Sequence, residues 1–201
     1  MAEIDRLRWN DRYTSNDAPA ARTANRWLLG HAPVIDELHA TIRNAGEKPA
    51  ALDVACGAGG TLLWLAQRGW QVMGVDLSDA ALAQVAERFQ TAGCRAGGTL
   101  VCADLDVWRP EPASFDLVCS FFFLDRALWP SLRQAVKPGG LLALQTYNQD
   151  RLLTRPTANP AYLLQPGELL AQVQSEHWEI LDGCSHPASG ATDAVLARRR
   201  M

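Results

Sequence analysis

From residue 50 onward the chain alternates short apolar runs with segments of helical period. "AALDVA" is a strand-length run, and "TLLWLAQRG" repeats apolar residues at helical spacing until Gly69 ends it. "QVMGVD" reads as a second strand, closing on an acid. "SDAALAQVAERFQTAG" reads as a helix that Ser78 caps, with Leu82, Val85 and Phe89 on one face and Gly93 at its end. "TLVCAD" is a third strand, again closing on an acid, and "FDLVCSFFF" is a fourth, apolar enough for burial on both sides. "DRALWPSLRQAV" is helical with a kink expected at Pro130, and "PGGLLALQTY" is a turn followed by a strand. This strand–helix–strand alternation predicts a parallel sheet covered on both faces.

After Tyr147 the rhythm changes. "NQDRLLTRPTANPAYL" is a long connection, and "PGELLAQVQ" is a short helix with Pro166 near its start. "HWEILDG" and "TDAVLARRR" are two strands joined by the short "CSHPASGA", so they should pair antiparallel. Residues 1–49 differ: they hold aromatic and charged residues, a loose "TSNDAPAART", and one helix from about Arg26 to Asn44, interrupted near Pro33. The expected organisation is an N-terminal helical cap or lid, 1–49, and an α/β domain, 50–201, in a single domain overall.

Composition narrows the function classes. At 201 residues, 48% apolar and 20% charged, the chain suits one ordinary soluble globular domain. A net charge of -3 argues against nucleic acid as the main partner. The "RRR" at 198–200 reads as a solvated tail. No apolar run is long enough to span a membrane and the N-terminus has no signal-peptide core, so a cytoplasmic protein is expected. The five cysteines form no C-x-x-C pair and read as small buried hydrophobes in a reducing compartment, Cys102 and Cys119 within strands. His31, His39, His177 and His186 show no metal-ligand spacing, so no metal is expected. The pattern leaves the oligomeric state open.

Chemistry concentrates at "DVACGAGG". Ligands of parallel sheets bind beyond the carboxyl ends of the strands. Gly57 and Gly59 let main chain approach a ligand without a Cβ, and the helix starting near Gly60 aims N–H groups into the same space. Asp53, in an apolar strand, needs a partner: it anchors the loop or holds a ligand amine. Asp76 ends the next strand 19 residues after Gly57, where an acid accepts from ribose hydroxyls. Asp104 stands where it could take an adenine amine, with Leu77 and Leu105 flanking the ring. A dinucleotide fingerprint would need a third glycine where Leu62 stands. That disfavours the alternative of a nicotinamide-dependent oxidoreductase.

"LDVACGAGG", "VMGVDLS", "VCADL", "FDLVCSFFFLDR" and "VKPGGLLALQTY" together resemble the successive motifs of class I S-adenosylmethionine-dependent methyltransferases. The acid-x-G-x-G-x-G motif of that family is matched by Asp53, Ala55, Gly57 and Gly59, with Ala55 in place of its first glycine. Within the family the chain looks most like the small tellurite-resistance and thiopurine-type enzymes, although "CSHPASGA" is shorter than the tellurite hairpin. The resemblance implies a doubly wound, seven-stranded, mostly parallel sheet with an antiparallel last strand, the Rossmann-like methyltransferase fold. It implies S-adenosyl-L-methionine as cofactor and a small-molecule acceptor: a thiol, a chalcogen oxyanion or another small nucleophile. Ser120 and Phe121 would face the cofactor, and Trp9, Tyr13 and Trp27 would lid the site, with Arg12 at the cofactor carboxylate. Asp125, Arg126 and His186 are the candidates for acceptor contact, against a helix cap and a surface ion pair for the first two. A non-catalytic protein that senses the cofactor is the alternative from another class.

Overall fold

In the computed structural model the described residues are 2–15, 23–94, 98–186 and 191–201, the side chains of 2 and 184–186 excepted. Most of "TSNDAPAART", much of the "CSHPASGA" link and the His186 side chain therefore lie outside the described residues. Seven strands form one sheet in the order β3-β2-β1-β4-β5-β7-β6. The chain divides into two compact units, Met1–Trp108 and Arg109–Met201, where the sequence pointed to a boundary between 49 and 50.

The first unit holds α1 (Ala2–Thr14), α2 (Arg26–Gly30), α3 (Ala32–Asn44), β1 (Ala50–Val54), α4 (Gly60–Gln67), β2 (Gln71–Asp76), α5 (Asp79–Thr91) and β3 (Gly98–Cys102). The helix expected over 26–44 breaks at His31, and Pro33 occupies the first turn of α3, where its missing N–H costs nothing. β1 pairs with β2, and β2 with β3, all parallel. Leu52, Leu62, Leu65, Val75, Val85 and Phe89 are buried between the sheet and the helices. Ser78 caps α5 as expected, accepting from Ala81 N–H at 3.0 Å. Cys102, expected to be buried, is exposed, because β3 is an edge strand covered on part of its surface only.

The second unit holds β4 (Phe115–Phe121), α6 (Trp129–Ala135), β5 (Val136–Tyr147), α7 (Arg151–Thr154), a 3-10 turn (Pro160–Tyr162), α8 (Glu168–Ala171), β6 (Trp178–His186) and β7 (Thr192–Arg199). Pro130 lies in the first turn of α6, so it starts this helix instead of kinking it. β4 and β5 are parallel, while β7 runs antiparallel to both β5 and β6. The antiparallel strand inferred from the short link is thus the last one. Leu117, Leu141, Leu142, Val195 and Leu196 form this unit's core. "RRR" is no solvated tail: Arg199 lies in β7 and donates to the carbonyls of Gln134, at 3.3 Å, and Val136.

The "KPGG" turn bulges from the β4–β5 ladder, since Phe115 pairs with Val136 but Leu117 with Leu141. Gly140 is buried inside it, and a Cβ there would stand 2.8 Å from the Asp116 carbonyl oxygen and 3.0 Å from that of Lys137. Main chain cannot yield as a flexible side chain can. Gly140→Ala is therefore expected to destabilise the fold by about 1–3 kcal/mol, read as a lower urea midpoint at unchanged slope. Gly30→Ala, where a Cβ meets open space, is the control expected to leave the midpoint unchanged or slightly raised.

Candidate functional site

β1 delivers the loop 55–59 to the start of α4, and alternate residues of this loop have left-handed backbone. Ala55, Gly57 and Gly59 have φ of +55°, +53° and +72°. The Gly57 N–H donates to Asp76 Oδ2 at 2.8 Å, and the Ser78 N–H to Asp76 Oδ1 at 2.9 Å. One buried carboxylate from the end of β2 therefore ties the glycine loop to the start of α5. The Gly59 N–H donates to the Cys56 carbonyl at 3.0 Å, and Arg88 of α5 donates to the Ala58 carbonyl.

The bare faces of the glycines are occupied from within the chain. A Cβ on Gly59 would lie 2.6 Å from a Val85 methyl. A Cβ on Gly57 would overlap the Tyr13 hydroxyl. α1 is held there by polar contacts, among them a hydrogen bond from Ala80 N–H to Asn10 Oδ1 at 3.4 Å. Asn10 Oδ1 accepts from the Ser78 hydroxyl at 2.7 Å, Asn10 Nδ2 donates to Asp79, and Gln84 Nε2 donates to the Tyr13 carbonyl at 2.7 Å. Burial, then the charge of Asp76, pushes the Tyr13 phenol up to about 12. Trp9 stands 6.3 Å from the Tyr13 ring, and the Arg12 guanidinium lies 5.1 Å over Trp9. Trp9, Arg12 and Tyr13 thus lie on the helix that covers the loop, whereas Trp27 packs its ring against His31 at 4.8 Å.

Two further acids flank this arrangement. Asp53 is 3% exposed, and its carboxyl makes no hydrogen bond among the described residues. Burial, then the Asp76 charge, pushes it up to about 8, so it is protonated at neutral pH. The Ala103 N–H donates to the Asp76 carbonyl at 3.0 Å, which sets Asp104 beside the end of β2. Asp104 Oδ1 accepts from Asp106 N–H at 3.0 Å and keeps its second oxygen free for another donor. Leu77 is half-buried and Leu105 buried. The Cys56 thiol is pushed up by burial, so it is no ready nucleophile.

In the second unit, Ser120 is buried and Phe121 half-buried at the end of β4. Asp125 caps the turn into α6, accepting from Ala127 N–H at 2.9 Å. Arg126 forks onto Glu168, with Nη2 2.9 Å from Oε2, and donates to the carbonyls of Ala161 at 2.9 Å and Leu163 at 3.0 Å. Its donors are spent on stapling the 161–168 segment, and the Arg126 hydrogen bond holds the Glu168 carboxyl below its usual value. The cap and the ion pair weighed for these two residues in the sequence are thus both formed. Sequence reasoning missed Asn10, Gln84 and Arg88. Arg88 carried a signal, since it lies three residues after Val85 and next to Phe89 on the buried side of α5.

Residues 51–140 match the family model of the methyltransferase domain. A ubiquinone biosynthesis O-methyltransferase from Azoarcus sp. (strain BH72) is 29% identical over 163 residues, 71% of this chain and 64% of that one. A ribosomal RNA small subunit methyltransferase C from Alcanivorax borkumensis is 33% identical over 107 residues, 50% of this chain and 33% of that one. The chain spans less than two thirds of the length of either relative. An S-adenosylmethionine-dependent methyltransferase structure from Mesorhizobium loti matches with a TM-score of 0.59 at 21% identity, over 76% of this chain and 91% of that one. That likeness shows the fold.

Two outcomes follow from the domain's loop. Unfolded Asp53 ionises near pH 4 and folded Asp53 at about 8. Between those values the folded state holds a proton that the unfolded state has lost, so its contribution to stability falls as pH rises. The slope is at most about 1.4 kcal/mol per pH unit and vanishes above pH 8. The difference in unfolding free energy between the protein and Asp53→Asn, measured from pH 5 to 9, should follow that curve. Ala55→Gly should stabilise by about 1 kcal/mol by removing a Cβ from left-handed backbone, a rise in Tm of about 2–4 °C in a scan.

Proposed function

We propose that the protein transfers a methyl group from S-adenosylmethionine to a small-molecule acceptor. The observation that carries this reading is the meeting, within one unit, of the loop at Gly57, the Asp76 carboxylate and the Asp104 turn. Each Asp76 oxygen already accepts a main-chain N–H, and a carboxylate at this strand end suits the hydroxyls of a ribose. Asp104 would take the adenine amine between Leu77 and Leu105, and Asp53 the amine of the amino-acid tail. Tyr13 would give up the hollow over Gly57 to admit the ligand, with Trp9 and Arg12 moving on the same helix.

The cofactor supplies a methyl group activated by its sulfonium charge. The chain's part is positioning. A nucleophile that is soft or already anionic would need no general base, in keeping with the structural employment of Asp125 and Arg126. Thiols and chalcogen oxyanions meet that condition. A relative named for O-methylation in ubiquinone biosynthesis adds oxygen nucleophiles to the set. The likeness to tellurite-resistance and thiopurine enzymes rests on motifs alone, and the curated relatives above are of other kinds. The net charge of -3 favours a small molecule over nucleic acid, although a ribosomal RNA methyltransferase is among the relatives. No helix among the described residues is long and apolar enough to cross a membrane, and a cytoplasmic location belongs to the same proposal.

Calorimetry with S-adenosylhomocysteine and with NAD tests this. Micromolar binding of the first and none of the second is expected. Asp104→Ala, which gives up one turn bond, should weaken binding at least tenfold at unchanged Tm. Asp76→Ala should weaken it further and also lower Tm. Tight NAD binding would replace the proposal with a nicotinamide-dependent oxidoreductase. Binding of S-adenosylhomocysteine with no turnover across thiols, chalcogen oxyanions and phenols would replace it with a sensor.

A further inference from the structure

We infer that Phe122, Tyr147 and Arg151 form a seat for a flat aromatic acceptor that carries an acidic substituent. The methyl-transfer reading supplies the use of this seat; the seat itself is read from the second unit alone.

Phe122 follows directly on β4 and has a φ of +58°. A bulky side chain in left-handed backbone is an outlier, since glycine or asparagine would hold the same turn at less cost. The ring does not repay that cost by burial, because Phe122 is 52% exposed. The turn is nevertheless well made: the Phe122 N–H donates to the Gln145 carbonyl at 2.7 Å. An exposed ring on strained backbone at the carboxyl end of a parallel strand stands where ligands of such sheets bind.

The ring is not isolated. The Phe122 and Tyr147 centroids are 5.2 Å apart with planes 37° from parallel. The Arg151 guanidinium lies 4.5 Å over the Tyr147 ring. Among the described residues no carboxylate pairs with Arg151, unlike Arg126, which forks onto Glu168. The Tyr147 backbone is locked on both sides. It pairs with Thr192 of β7, and its carbonyl accepts from Leu164 N–H at 2.9 Å. Beneath it, buried Gln145 donates to Thr192 Oγ1 at 3.2 Å and buried Asn148 to Asp193 Oδ1 at 2.7 Å. Aromatic faces on a fixed floor with an available cation beside them recognise a flat ring by stacking and its acid by charge. With the Tyr147 ring 5.2 Å from Phe122 and 4.5 Å from the guanidinium, a two-ring aromatic acid matches the scale of the seat.

The test uses naphthalene-2-carboxylate, its saturated decahydro analogue and 2-naphthylmethanol, titrated by calorimetry into the full chain with and without saturating S-adenosylhomocysteine. The flat acid should bind at least tenfold tighter than either of the others. Phe122→Gly should erase the preference for flatness and leave Tm equal or higher. Arg151→Gln should erase the preference for the acid and keep that for flatness. Equal affinity for the flat and saturated acids would overturn the inference. So would a Phe122→Gly variant of lower Tm, which would make the ring a support of the fold. Binding of the flat acid without any binding of S-adenosylhomocysteine would uphold the seat and sink the methyl-transfer reading, and the reverse pattern would do the opposite.

Discussion

The Asp76 carboxylate is the constraint on which the first unit's site rests. Asp53 and Asp76 are both buried, burial resists the ionisation of both, and the charge of Asp76 further resists that of Asp53. The main chain breaks the tie. Asp76 receives N–H donors from Gly57 and Ser78, which favour its charged form, while Asp53 has none among the described residues. The main-chain donors therefore favour the charge on Asp76, while burial favours the proton on Asp53. Hydrogen bonds to a charged group are each worth about 1.5–3 kcal/mol, so the loop's shape and the sharing of that charge are one problem. An approaching cation changes the balance, because it makes the second ionisation affordable.

The glycines of the loop have two uses that the sequence could not separate. Gly59 is bare so that Val85 of α5 can press on the loop, which is a packing requirement. Gly57 is bare over a hollow that the Tyr13 hydroxyl fills from α1. The first occupant belongs to the core; Val85 is buried and moves only with α5. The second belongs to a helix fastened by polar contacts through Asn10 and Gln84, which water can replace. Of the two positions, Gly57 alone has an occupant that could be exchanged for a ligand at modest cost.

Much of this was legible because it is periodic or local. The strands, the α5 face of Leu82, Val85 and Phe89, the Ser78 cap and the antiparallel β7 all follow from apolar spacing, cap chemistry or link length. What was not legible depends on partners distant in the chain. Arg126 and Glu168 are 42 residues apart, and Asn10 and Ser78 are 68 apart, with no pattern that relates them. "RRR" looked like a tail because charge on a last strand is read as solvated unless carbonyls of the preceding bulge are known to meet it. Cys102 failed for a related reason, since an apolar run does not say which strand forms the sheet's edge.

Backbone strain serves a different purpose in each unit. The residue after β1, Ala55, and the residue after β4, Phe122, both turn left-handed without being glycine. At 55 the departure is a single methyl, it is small, and the loop's hydrogen bonds to Asp76 hold the shape regardless. At 122 the departure is a whole ring, presented outward, beside Tyr147 and within its stack. A chain free to choose for stability alone would place glycine at both. Strain of the first kind is small enough for the surrounding structure to absorb. Strain of the second kind persists with an exposed aromatic surface attached, so the ring's contacts beyond the fold account for it better than anything inside.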